Sequence, residues 1–286
     1  DSIGVVRPEG VTSRFHVLEL TPTGPDIAFD DLNVTAFSCD PNNARAVFVA
    51  SEQDPPADLR SPPLETHLYL ADFNTREVHQ LSDAANVTSA EWAPTGDVVA
   101  ITDNNDIELV SLEGQRTPLV TRPGVDSTPH WSPDGDSLAF ATSDGAERAP
   151  IALAVVGRSG SAPRPIARHF QSFLIGTPPR WWAWTDNNTL LFSGLSEMST
   201  QIYRVRLSQA DAAEAITPAG QVSLYCSTAR NRLACIESSP DTPPRIVTRS
   251  LPRGRVLERT ELNHNQARGS PSIRRLDWRS VDGAAI

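Results

Sequence analysis

One turn-and-strand pattern recurs along this chain, and a recurring pattern restricts the fold more than any single element can. It is clearest at Trp131-Ser132-Pro133-Asp134-Gly135. Pro133 presets φ for the first central turn position, Asp134 can accept hydrogen bonds from its own backbone, and Gly135 takes the positive φ that closes such a turn. In the strand that follows, Leu138 and Phe140 point to one face and Ala139 and Ala141 to the other. Both faces are apolar, so both need cover. Trp92-Ala93-Pro94-Thr95-Gly96, leading into Val98-Val99-Ala100-Ile101, repeats the pattern. Trp184 to Asn188, leading into Leu190-Leu191-Phe192, is one residue shorter, and Phe37 to Asn43, leading into Val47-Phe48-Val49, has a longer turn. Tyr225 to Arg232, leading into Leu233-Ala234-Cys235-Ile236, is the most altered copy. The aromatic anchors at 37, 92, 131, 184 and 225 are 55, 39, 53 and 41 residues apart. Propeller blades repeat at roughly 40–50 residues.

The expected fold is therefore all-β: a β-propeller of four-stranded antiparallel blades, about six to seven in number, with five complete units visible. The five anchors are expected at the ends of innermost strands and mostly buried. Outer strands are expected at 66–73 and 76–81, 107–112 and 116–120, 151–156 and 165–167, 201–207 and 214–217, and 245–251 and 256–262. Residues 1–31 lack an anchor and read as the second half of a blade, with a strand at Phe15 to Leu20. No stretch has convincing helical periodicity.

With 286 residues, 39% hydrophobic and 21% charged, the chain reads as globular and soluble, either cytoplasmic or secreted or periplasmic. No apolar run approaches the ~18 residues of a membrane span. The chain starts at Asp1 rather than Met, so a processed or trimmed start is expected. A net charge of −10 argues against a nucleic-acid partner, which needs basic patches. All 25 basic residues are Arg, a bias assigned to codon usage. Cys226 and Cys235 lie on two arms of one expected hairpin; two buried thiols are the expected state, ahead of a disulfide. Asn33-Val34-Thr35, Asn86-Val87-Thr88 and Asn187-Asn188-Thr189 fit the N-glycosylation pattern, which matters only in a eukaryotic secreted protein.

Little in the chain carries chemistry. The six His, at 16, 67, 79, 130, 169 and 264, form no metal-ligand spacing and read as structural or surface residues. The turn residues Asp97, Asp134, Asp136 and Asn187 lack the EF-hand spacing and closing Glu. No metal and no cofactor is expected. Trp181, Trp182 and Trp184 read as packing between blades rather than a ligand platform. A long excursion from Ser51 to Glu65 carries Pro55, Pro56, Pro62 and Pro63. Its Glu52 and Arg60 are the candidate substrate-gating residues, set against the plainer reading of a solvated loop.

The Trp131-Ser132-Pro133-Asp134-Gly135 unit, continued by Leu138-Ala139-Phe140, resembles the propeller repeats shared by TolB-type proteins and by the prolyl oligopeptidase (S9) serine peptidases. The resemblance covers roughly residues 32–263. The tail, Leu276-Asp277-Trp278-Arg279-Ser280-Val281-Asp282-Gly283, resembles the strand that leads from propeller to α/β-hydrolase domain in S9 peptidases, closest in style to the acylaminoacyl-peptidase branch. The resemblance implies a propeller domain at 1–275 and, at 276–286, the start of a connection to a C-terminal α/β-hydrolase domain beyond Ile286. It implies a non-catalytic propeller that caps the active site and gates short peptides. No catalytic residue can be assigned here: Gly157-Arg158-Ser159-Gly160-Ser161 and Gly194-Leu195-Ser196-Glu197-Met198 both fail the last Gly of the G-x-S-x-G nucleophile elbow. The alternatives are a TolB-like scaffold binding protein partners, and a freestanding propeller enzyme using its central tunnel, for which no polar cluster speaks.

Overall fold

The computed structural model describes residues 2–9, 12–19, 32–42, 44–53, 64–145, 151–168, 181–196, 199–229, 231–251 and 253–260, with backbone alone for 2–19 and Ser196. Two strands, β1 (Ser2–Glu9) and β2 (Thr12–Glu19), form an antiparallel hairpin. Five four-stranded sheets follow in chain order, each built from one contiguous stretch. The first holds β3 (Asn33–Cys39), β4 (Arg45–Ser51), β5 (His67–Asp72) and β6 (Val78–Gln80). The second holds β7 (Val87–Trp92), β8 (Val98–Asp103), β9 (Asp106–Ser111) and β10 (Arg116–Val120). The third holds β11 (Val125–Trp131), β12 (Ser137–Ser143), β13 (Ala152–Gly157) and β14 (Arg164–Ile166). The fourth holds β15 (Trp182–Asp186), β16 (Thr189–Ser196), β17 (Ser199–Arg206) and β18 (Ala213–Ala215), and the fifth β19 (Val222–Ala229), β20 (Arg232–Ser239), β21 (Thr242–Ser250) and β22 (Val256–Arg259). Within each sheet the strands run as an up-and-down meander, the order expected of propeller blades. Among the described residues there is no α-helix.

Chain contacts divide the protein into two compact units. The first takes the hairpin and the first three sheets, with Trp184–Leu190 and Val205–Ala213. The second takes Arg180–Ala183, Leu191–Arg204 and the chain from Glu214 onward, including the fifth sheet.

In the first unit, the period-two alternation of the second strands β4 and β8 feeds two different cores. Val99 and Ile101 of β8 pack with Val47, Val49, Leu68 and Leu70 of the first sheet. Their neighbours Val98 and Ala100 pack with Leu138, Phe140 and Trp131 of the third. Each of these residues is nearly or fully buried, so β8 is covered on both faces. In the second unit, Leu191 and Ile202 pack with Leu233, Cys235 and Leu251. The fifth sheet is covered on one side only: Ile236 and Ile246, paired across β20 and β21, are 38% and 44% exposed. Its covered side carries an ion pair, Glu237 with Arg249, joined by two bonds of 2.7 and 2.8 Å and nearly inaccessible to solvent. Such a pair adds little net stability when intact, but removing one member strands a buried charge.

Two expectations need correction. Of the five anchors, Trp92, Trp131 and Trp184 are buried, but Phe37 is 37% and Tyr225 81% exposed. Backbone pairing next to the turns explains this. Ala93, Ser132 and Asp40 donate to Val98, Ser137 and Arg45 respectively. The residue in the Trp92 and Trp131 position is therefore Cys39 in the first sheet. In the fifth it is Thr228, which pairs with Leu233. Phe37 lies two residues, and Tyr225 three, before that position, where Cys39 and Thr228 are half-buried. The second correction is that Cys226 and Cys235 form a disulfide, not two thiols. A bulge sets both Tyr225 and Cys226 against Cys235, which brings the two cysteine Cα atoms to 4.2 Å.

Candidate functional site

The first strand of each sheet has one edge that no strand of its own sheet occupies. In the first unit these edge strands are tied to one another by a repeated contact. The residue before each anchor position accepts a hydrogen bond from the anchor of the next sheet. The Ser38 hydroxyl accepts the Trp92 amide at 2.9 Å. The Glu91 carboxylate accepts the Trp131 amide at 2.9 Å, and the Glu91 carbonyl its indole N–H at 3.2 Å. The His130 carbonyl accepts the Trp184 indole N–H at 2.9 Å. Trp184 therefore serves packing and the inter-strand tie, Trp182 is buried, and Trp181 is half-buried against the core of the second unit.

The Glu91 carboxylate and His130 Nδ1 also lie 3.2 Å apart, with side chains 31% and 38% exposed. A carboxylate beside a solvent-reachable imidazole can hold and pass a proton. Here the same Glu91 oxygen is already bound by the Trp131 amide, which makes the pair a tie between strands first. Sequence reading set His130 aside; the signal for it was its place immediately before an anchor.

The turns at the end of these strands also meet. A Cβ placed on Gly135 would lie 3.1 Å from Thr95 Cγ2, and the Asp134 amide donates to Asn187 at 3.2 Å. Arg158 donates to Thr95 and Asp97, and its guanidinium lies 5.7 Å from the Trp131 ring centre. Arg45 stands likewise over Trp92 at 5.2 Å. The Arg158 bond, followed by the Thr95 hydroxyl, holds the Asp97 carboxyl below the usual aspartate range. Asp134 is lowered in the same direction by the Ser132 hydroxyl and the Asp136 amide. Turn chemistry thus occupies these acidic groups, and among the described residues no group of three or more His, Cys, Asp or Glu could hold a metal ion.

The edge strands β3, β7, β11 and β19 each carry a bulge, and each bulge presents an exposed residue: Thr35, Thr88, Thr128 and Tyr225. Sequence reading took Tyr225 as a core anchor and so missed this series. The first two threonines close the first two Asn-x-Thr triplets, so those triplets are read as parts of a structural repeat.

Of the two candidate gating residues, Glu52 is exposed at the end of β4, where it accepts a 3.3 Å bond from the Tyr69 hydroxyl. Burial, then the Glu52 charge, pushes the Tyr69 phenol up. Arg60 lies outside the described residues, as do most of the excursion and the tail at 276–286. A depression of 820 Å³ opens beside β6, β9 and β10, which sequence reading did not foresee. At its wall Arg116 bonds Asp83, Asp103 and Glu108 at 3.2, 2.5 and 2.7 Å, so its charge is already matched.

No protein-family model matches the chain, and no curated protein does. Solved structures match in fold. Puromycin hydrolase, as an S511A mutant complexed with PGG, matches with a TM-score of 0.68 and 17% identity, over 99% of this chain and 49% of that one. TolB from Acinetobacter baumannii matches with a TM-score of 0.54 and 15% identity, over 73% of this chain and 50% of that one. One of two prolyl endopeptidases studied for inter-domain dynamics matches with a TM-score of 0.60 and 12% identity, over 92% of this chain and 43% of that one. The chain thus spans about half the length of these proteins or less. At such identities the likeness establishes the propeller-type fold and nothing finer.

Proposed function

We propose that this chain is the propeller portion of a longer S9-type serine peptidase, and that it covers the active site of a C-terminal α/β-hydrolase domain and admits short peptides. The observation that carries this reading is the span of the match: nearly all of this chain aligns with about half of puromycin hydrolase, which leaves room there for a second domain. The tail supports it from the sequence side, since Ser280-Val281-Asp282-Gly283 has the form of the strand that enters such a domain. In this reading the propeller runs over 1–275 with about six to seven blades, and the connection to the hydrolase begins at 276–286. The excursion bearing Glu52 and Arg60 stands at the entry for substrate, and peptides and the hydrolase domain are the partners.

A fluorophosphonate probe applied to the polypeptide that extends past Ile286 tests the reading. It should label one Ser beyond residue 286 and none within 1–286. Labelling of a Ser inside 1–286, or a longer chain without G-x-S-x-G, would overturn it. The second outcome would favour a TolB-like scaffold for protein partners, which the TolB match supports at the level of fold. Among the described residues no helix is long and apolar enough to cross a membrane.

A further inference from the structure

The covered side of the fifth sheet holds more polar groups than its one ion pair uses. Ser223 of β19, Glu237 of β20 and Arg245 of β21 stand opposite one another in register, so their side chains share that face. Gln221, two positions before Ser223, falls on it by alternation. Both Glu237 oxygens are taken by Arg249. The Ser223 hydroxyl, the Arg245 Nε–H and the Gln221 amide oxygen are closed off from solvent and have no hydrogen-bond partner among the described residues. Ser223 is fully buried, while Gln221 and Arg245 are half-buried, which keeps the row within reach of solvent. Arg245 has no ion-pair partner among the described residues, so two arginines stand here against one glutamate and a positive charge is left over. Buried polar groups are as a rule paired, and an unpaired one is costly. Water can satisfy a hydroxyl, but it brings no charge to match Arg245.

We propose that Gln221, Ser223 and Arg245 form a carboxylate-binding site, and that it takes the C-terminal carboxylate of a peptide. The Arg245 Nε–H and the Ser223 hydroxyl donate to the carboxylate, and its charge strengthens both bonds. The Gln221 oxygen accepts the N–H of the last peptide bond, which stands next to the carboxylate in any peptide that does not end in proline. The added negative charge cancels the excess on this face and leaves Glu237 with Arg249. The site stands on the geometry. That its carboxylate ends a peptide rests on the peptide-handling reading above and deepens it.

The test uses the 286-residue protein and three probes, with affinities measured by titration NMR. The first is N-acetyl-tetra-alanine with a free carboxylate, and the second is the same peptide as its C-terminal amide. The third is N-acetyl-Ala-Ala-Glu-Ala amide, whose sole carboxylate is a side chain. The free acid should bind about tenfold more tightly than its amide, the scale of one hydrogen bond to a charged group. Arg245→Gln should abolish that preference. Ser223→Ala should weaken the free acid about fivefold yet melt no lower than the parent, because it removes a buried hydroxyl that no protein group satisfies. Equal affinities for acid and amide, no binding of any probe, or a preference that survives Arg245→Gln would overturn the proposal. So would a lower melting temperature in Ser223→Ala, which would make the hydroxyl part of the fold. Binding of the third probe as tightly as the first would overturn the peptide terminus and support a carboxylate site for acidic side chains. Fluorophosphonate labelling of the longer polypeptide is read separately. Labelling without carboxylate-dependent binding sinks this inference alone, and such binding without labelling sinks the peptidase reading alone.

Discussion

Gly114 and Gly96 both adopt positive φ, +83° and +80°, yet their surroundings differ. A Cβ on Gly114 would lie 2.2 Å from the Leu81 carbonyl oxygen, a main-chain atom that cannot step aside. A Cβ on Gly96 would meet only the Pro41 ring at 3.7 Å, an ordinary contact. Gly96→Ala should therefore cost about 1 kcal/mol for the backbone conformation. Gly114→Ala should cost clearly more, about 2 kcal/mol or above, because a clash is added. Urea unfolding of the two variants checks this; equal midpoints would mean that Leu81 yields. The sequence marked Gly96 as a turn residue, and Gly114 falls between the strands expected at 107–112 and 116–120. It gave no sign of the difference, which depends on a carbonyl more than thirty positions away.

At the scale of the element, the strands were legible because their chemistry is local. Outer strands expected at 107–112 and 116–120 are found at Asp106–Ser111 and Arg116–Val120. The turn Pro133-Asp134-Gly135 closes as its residue types require, with the Gly135 amide donating to the Ser132 carbonyl at 2.9 Å. What escaped was register. An aromatic ring is conspicuous in a sequence, but the place before the turn is filled by the half-buried Cys39 and Thr228 in the first and fifth sheets, which nothing in their residue types announces. β1 was missed because Gly4 and Pro8 interrupt its alternation. The disulfide was missed for a related reason: the bulge sets which residues face each other, and bulges leave no clear trace in composition. Replacing both Cys226 and Cys235 by Ser should lower stability by about 2–3 kcal/mol, the chain-entropy value for so short a loop. A reductant should lower the wild type by a similar amount and leave the double variant unchanged. A wild type indifferent to reductant would contradict the bond.

For the whole molecule, the sequence reached the class of fold, since a repeat needs only local patterns to be recognised. Of the candidate site it reached less. Glu52 is exposed at the end of β4, Arg60 and the tail lie outside the described residues, and the edge-strand ties and bulges depend on neighbours in space. The gating proposal makes its own prediction. Shortening residues 51–65 to a Gly-containing turn in the longer polypeptide should leave the melting temperature nearly unchanged, because surface loops cost little stability. It should shift the ratio of hydrolysis rates between long and short peptides. An unchanged ratio would mark the excursion as an insertion without a role in access.

The ties between edge strands have a direction. Each acceptor, at Ser38, Glu91 or His130, sits on a partly solvated residue, and each donor belongs to a buried tryptophan of the following sheet. Deleting sheets from the C-terminal side would leave behind oxygens that water can satisfy. Deleting them from the N-terminal side would leave behind tryptophan N–H groups robbed of their acceptors, at a cost of about 1–3 kcal/mol for each one that stays buried. An array wired in this way can be shortened from one end far more readily than from the other.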